Sequence, residues 1–248
     1  YLKAIIKNNY AIKPYTVQRQ GDSYNDTDIR SEYASATALR ENLKADNISK
    51  YIPVKAGLIL SSNTNYIYPD DITEALFTRL LDILFASGYD KNVFIENVMQ
   101  YPDVSKEIAG RLYKSAMDMI TRTVPQRSES KDNWAFSFGS LCEHIKTKEV
   151  PLSRIKRALV RITLGLDKKH MEKYANEPYI RVLGFDKKGQ EYLSYIRKTV
   201  VVPLITKTAA YKEMLLDDMH AANIYNMIVA GKYGVKELGD FVRGPVRV

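Results

Sequence analysis

A helical period that recurs along the chain narrows the fold more than any other feature. Ile72, Leu76, Leu80, Ile83 and Leu84 fall three or four residues apart, just after Asp70 and Asp71. So do Ile108, Leu112, Ala116, Met119 and Ile120, and again Ile155, Leu159, Ile162 and Leu166. Residues at this spacing share one face of a helix. Each segment therefore carries an apolar stripe that another element must cover. Helices are expected after Asp71 and over 103–123, 133–147, 152–166, 187–198 and 212–230. Trp134, Phe136, Phe138 and Cys142 belong to the expected core. No apolar run approaches the length of a bilayer span.

The first fifty residues follow a different order. YLKAIIKNN reads as a helix, 11–19 (AIKPYTVQR) as a short strand, 20–34 as a polar, acidic loop and 35–45 as a helix. Pro14 puts the strand's start near that residue or the strand at a sheet edge. This is the tail of an alternating α/β unit. YIRVLGF (179–185) and VVVPLIT (200–206) read as strands around the 187–198 helix, a small parallel unit. The closing GDFVRGPVRV reads as extended. The expected fold class is α+β and mostly α: a Rossmann-like remnant over 1–50, then a helical domain with a small β element over 51–248. The start at Tyr1, inside a helical stretch, reads as the start of a fragment. A single cysteine cannot close an internal disulfide, which fits a reducing compartment such as the cytoplasm.

Charge is uneven. Residues 1–145 carry 17 Lys/Arg against 18 Asp/Glu, residues 146–173 carry 9 against 3, and residues 174–248 carry 11 against 8. Most of the net +8 thus sits in one short window, as for a polyanion partner or a solvated helix face. Within it Arg154, Arg157 and Arg161 fall at i, i+3 and i+7, one basic stripe beside the core face. Lys146, Lys148, Lys168 and Lys169 flank the stripe, and Lys156 lies in the same helix.

Other candidates lie near the front. Ser35 is placed to cap the helix ATALRE, and helix starts attract anions. Arg40, just over one turn in, could reach back to a phosphate; equally it is a plain surface arginine. Arg19 and Gln20 lie at the carboxyl end of the expected strand, where open α/β sheets bind ligands, although Arg19 could instead pair with Asp22 or Asp26. Asp22, Asp26, Asp28 and Glu32 are scattered carboxylates and do not form an expected metal site. His144, His170 and His220 show no common ligand spacing, and no Gly-rich phosphate loop is present.

Several segments in order, YLKAI, KPYTVQR with DSYND, ASATALR, HIKTKEVPLSRIKRALVRITLGL, PYIRVLGFDKKGQEYL, VPLITK and PVRV, resemble the C-terminal part of bacterial tRNA(Met) cytidine acetate ligases, a nucleotidyltransferase-like family. The resemblance spans nearly the whole chain and rests on order and spacing, not on one motif. It implies an enzyme in which an N-terminal HxGH domain makes acetyl-adenylate from ATP and acetate. The acetyl group then passes to the wobble cytidine of elongator tRNA(Met), giving N4-acetylcytidine. It implies ATP contacts at Arg19 and Gln20, a supporting phosphate role for Ser35 and Arg40, Mg²⁺ held mainly through phosphates, and tRNA contacts at Lys148, Arg154, Lys156, Arg157 and Arg161. Neither a membrane nor DNA is an implied partner. One departure is large: the HxGH motif is absent from these 248 residues, so no catalytic residue is assigned and the chain alone is expected to be inactive. A non-catalytic RNA-binding module and an adenylyltransferase with a small-molecule acceptor are the alternatives.

Overall fold

The computed structural model describes residues 1–24, 26–43, 48–62, 65–121, 137–236 and 239–248. Close contacts divide the chain into two units, Tyr1–Tyr66 and Ile67–Val248.

The first unit holds α1 (Leu2–Lys7), α2 (Ala36–Glu41) and α3 (Val54–Ser62). α1 is the expected opening helix, and none of its side chains is buried. The strand expected over 11–19 does not form, and Ile12, Tyr15 and Val17 are exposed. β-propensity expresses a fit to a neighbouring strand, and among the described residues of this unit none pairs with the segment. α2 starts where Ser35 predicts and ends at Glu41; residues 44 and 45 lie outside the described residues.

The second unit opens with a 3-10 turn, Pro69–Ile72, that runs into α4 (Thr73–Ala86). α5 (Lys91–Met99), α6 (Lys106–Thr121), α7 (Phe138–Ile145), α8 (Leu152–Leu164) and α9 (Lys168–Asn176) follow. The expected stripes form its core. Leu76, Leu80 and Leu84 of α4, Ile108 and Leu112 of α6, and Ile155, Leu159 and Ile162 of α8 are fully buried together, with Phe94 and Val98 of α5 and Leu141 and Ile145 of α7. Phe138 and Cys142 join them. Burial pushes the Cys142 thiol up to about 11, the state of an inert core cysteine. Trp134 and Phe136 lie outside the described residues. Two stripe members depart: Ile120 is exposed, and Leu166 falls beyond α8, which stops at the left-handed Gly165. α3, α5 and α9 are not anticipated by the stripes.

The two acids before α4 have separate tasks. Asp71 Oδ2 accepts the Tyr68 N–H at 2.6 Å and pairs with Lys232 Nζ at 2.7 Å. Asp70 Oδ1 accepts the Gly139 N–H at 2.7 Å, satisfying a donor at the start of α7.

β1 (Ile180–Arg181), β2 (Gly184–Phe185), α10 (Lys187–Ile196), β3 (Leu204–Ile205), α11 (Leu216–Tyr233) and β4 (Val246–Arg247) complete the chain. β1 pairs with β3 in parallel, in the register Ile180↔Leu204, and α10 lies between them in sequence, as expected. The tail is extended and pairs β4 with β2 in parallel, Gly184 opposite Val246. Ile205, Leu215 and Met219 form a small core under this element. Arg181 locks it, donating to Asp218 of α11 at 3.3 Å and to Asp240 of the tail at 2.8 Å. The molecule is thus mostly helical, with a minor β component, the α+β class read from the sequence. Among the described residues no helix is long and apolar enough to cross a membrane.

Candidate functional site

The front residues sit in a loop closed by hydrogen bonds. Gly21 has φ +86°, and a Cβ there would lie 2.4 Å from the Tyr33 carbonyl oxygen, so the position requires glycine. Asp22 donates its N–H to that same carbonyl at 3.0 Å. The buried Asp22 carboxylate accepts the Arg30 N–H at 3.1 Å. That bond, with the Ser31 hydroxyl, holds the Asp22 carboxyl below its ordinary value. Asp26 Oδ2 accepts the Ser23 N–H at 2.9 Å, and Arg30 pairs with Asp28 at 2.9 Å on the exposed side.

Ser35 is fully buried. Its hydroxyl donates to the Asp26 carbonyl at 2.6 Å and accepts the Ala38 N–H at 2.9 Å. The residue joins the loop to α2, its one O–H donor used on the loop and an acceptor position used on the helix. Arg19 donates from Nε to the Asp22 carbonyl at 2.9 Å and lies 5.9 Å from the Tyr24 ring centroid. It makes no ion pair with Asp22 or Asp26; a backbone carbonyl holds it instead. Gln20 and Arg40 are exposed, and the Arg40 side chain makes no hydrogen bond or ion pair with another described residue. The loop draws Arg19 and Ser35 into one hydrogen-bonded knot, with Arg40 in the last turn of α2.

The loop carboxylates fit a metal poorly. Asp22 and Asp26 already accept backbone N–H groups and organise the loop, and among the described residues no cluster of three His, Cys, Asp or Glu could hold an ion.

The basic stripe of α8 has an organiser that the sequence did not reveal. Asp103, with φ +69°, takes all three arginines. Arg154 donates from Nε to its carbonyl at 3.2 Å. Arg157 Nε lies 3.1 Å and Arg161 Nη1 2.5 Å from Oδ2. Burial pushes the Asp103 carboxyl up, yet the hydrogen bond and charge of Arg157, with Arg161, outweigh this and hold it below its ordinary value. Three cations on one carboxylate leave two positive charges uncompensated. Each guanidinium has five N–H donors, and Arg157, about half exposed, keeps donors turned to solvent. Lys168 extends the patch, donating from Nζ to the Met99 carbonyl at 2.8 Å. Lys156 does not join it: its place on the helical wheel lies across the buried Ile155–Leu159 face. Lys148 is exposed in the connection before α8. Asp103 carried no signal in the sequence, because its partners are 51 to 58 residues away.

Known proteins resemble this chain in sequence and in fold. The profile of the HIGH nucleotidyl transferase family covers residues 1–238. A tRNA(Met) cytidine acetate ligase of Clostridium tetani is 33% identical over 99% of this chain and 56% of its own length. One from Thermoanaerobacter sp. is 30% identical over 92% of this chain and 53% of its own. The chain thus spans about half the length of the curated relatives it matches. The apo crystal structure of Thermotoga maritima TmcAL superposes with a TM-score of 0.73 at 23% identity, over all of this chain and 58% of that one. A second form, bound with alpha-thio ATP, gives 0.72 at 20%. These two likenesses speak for the fold. With its profile matched along nearly the whole sequence, the chain belongs to the HIGH nucleotidyl transferase family.

Proposed function

We propose that this chain supplies ATP-phosphate and tRNA contacts to an ATP-dependent tRNA(Met) cytidine acetate ligase. The enzyme forms acetyl-adenylate and transfers the acetyl group to the wobble cytidine of elongator tRNA(Met). Relatives of that name at 30–33% identity support the reading. The observation that carries the tRNA half is the convergence of Arg154, Arg157 and Arg161 on Asp103. It holds three long side chains in one fixed cationic surface, so less conformational entropy is lost when a phosphate backbone docks. Lys148, in the connection before α8, and Lys156, across the buried face of α8, would contact the tRNA apart from that surface.

Residues 1–50 belong, in this reading, to an ATP-binding domain, and 51–248 to a tRNA-binding one. Exposed Ile12, Tyr15 and Val17 suit a sheet edge. Adenylation develops negative charge on the α-phosphate and the leaving pyrophosphate. Arg19, oriented by the Asp22 carbonyl, with Gln20, Arg40 and the α2 start fixed by Ser35, would stabilise that charge. Mg²⁺ would be held mainly by the ATP phosphates. No HxGH motif occurs in the chain, so the 248 residues alone neither adenylate acetate nor modify tRNA, and the place of action is the cytoplasm.

Filter binding with elongator tRNA(Met) and a control tRNA, at two salt concentrations, tests the reading. The expected result is preferential, salt-dependent binding that weakens when Arg154 and Arg157 are changed to glutamate. Equal affinity for both tRNAs would remove the tRNA(Met) assignment. Steady pyrophosphate release from ATP and acetate by this chain would refute its inactivity.

A further inference from the structure

We propose that the cleft between α10 and the C-terminal tail binds an unpaired nucleotide of an RNA strand. The cleft holds about 580 Å³, inside the range of about 300–1,000 Å³ usual for small-ligand sites. Its walls come from β2, α10, the segment after β3 and residues 241–247. Among the described residues, Arg197, Lys207, Arg243 and Arg247 line it and no carboxylate does. One sign of charge on a concave wall concentrates potential on an anion.

Two nearby acids are committed elsewhere. Asp240 accepts from Arg181 at 2.8 Å, and Asp186 caps α10 through the Gly189 N–H at 2.7 Å. Arg197 is steadied by Thr206 Oγ1 at 3.4 Å. The side chains of Lys207 and Arg247 make no hydrogen bond or ion pair with another described residue. Two aromatic rings share the walls. The Arg247 guanidinium lies 5.8 Å from the Phe185 centroid, and the Lys212 ammonium lies 5.4 Å from that of Phe241.

Rings set among cations are what a single strand needs, because bases stack on the rings while the cations follow the phosphates. A base inside a duplex would have to leave its stack to enter. An acidic protein segment would meet the charges but leave the rings unused. The cleft is separate from the α8 stripe and carries no contiguous basic run, since its cations are scattered from residue 197 to residue 247.

The inference deepens the tRNA-binding reading and rests on it. The test uses the 248-residue chain, with elongator tRNA(Met), a short oligouridine and ATP as probes. Arg197→Gln with Arg243→Gln should weaken oligouridine binding about tenfold and lower the salt slope by about 1.4, two phosphates at about 0.7 each. Phe241→Ala should weaken it about tenfold with the slope unchanged; Phe241→Leu, which keeps most of the volume, should do the same if the alanine variant does not fold. Lys91→Gln, exposed at the start of α5, should leave oligouridine affinity unchanged. If all cleft variants bind oligouridine like the parent while tRNA binding persists, the cleft proposal is overturned and the tRNA reading stands. No tRNA binding by the parent chain would overturn both. Displacement of oligouridine by ATP at equal or lower concentration would reassign the cleft to a free nucleotide and overturn the RNA assignment.

Discussion

Replacing Asp103 with asparagine isolates the charge that organises the α8 arginines. Asparagine keeps the size of the side chain and tolerates the left-handed backbone at this position. The Asp103 side chain is 21% exposed, while Arg154, Arg157 and Arg161 are 42%, 55% and 24% exposed. Solvent screens the first two pairs, so each contributes about 0.3 kcal/mol, and the Arg161 pair about 1 kcal/mol. Removing the carboxylate also leaves three cations facing one another, for a total near 2 kcal/mol. In a domain of this size that lowers Tm by about 4–8 °C.

The pH dependence has a definite sign. The carboxyl is held below its ordinary value in the folded chain. Its stabilisation is therefore present above the unfolded carboxyl's pKa of about 3.9 and is lost as pH falls through the lower folded value. Urea melts should show the full gap between parent and D103N at neutral pH, closing under strongly acidic conditions. The variant loses the carboxylate that fixes the three arginines, so tRNA binding should weaken, while the lost negative charge steepens its salt slope by up to about 0.9. An unchanged urea midpoint at neutral pH would refute the energetic argument. Unchanged or tighter tRNA binding by a folded D103N would refute the view that the stripe acts as a surface fixed by Asp103.

Other predictions test the loop and the core. Gly21→Ala should speed proteolysis within 20–34, because a methyl group there meets the Tyr33 carbonyl; unchanged cleavage would show that the loop closes another way. Ser35→Ala should cost α2 about 1–2 kcal/mol and reduce hydrogen-exchange protection at the Ala38 and Leu39 amides, and retained protection would separate the helix start from its cap. Leu159→Ala, at a fully buried position, should cost about 2–5 kcal/mol in denaturant melts, while a loss well under that range would mean the site collapses around the change. Cys142, with its thiol pushed up to about 11, should resist a thiol reagent at mildly alkaline pH until the chain is unfolded in guanidinium.

Sequence alone determined what depends on neighbours a few residues apart. The stripes of α4, α6 and α8 are visible because helix faces follow from spacing, and Ser35 is legible as a cap because its partner, Ala38, is three residues on. The same locality exposed the arginine stripe and the parallel unit around α10. It also misled at 11–19, read as a short strand, where no described residue supplies a ladder. The tertiary structure decided which groups meet across long separations. Asp70 serves the start of α7 from 69 residues away, and β4 returns to pair with β2 from the far end of the chain. Asp103 gathers arginines more than fifty positions distant, and the cleft cations come together only through the turn of α10 and the path of the tail. Charge and hydrogen bonding act over a few ångströms of space whatever the distance along the chain, so those meetings leave no periodic trace in the sequence.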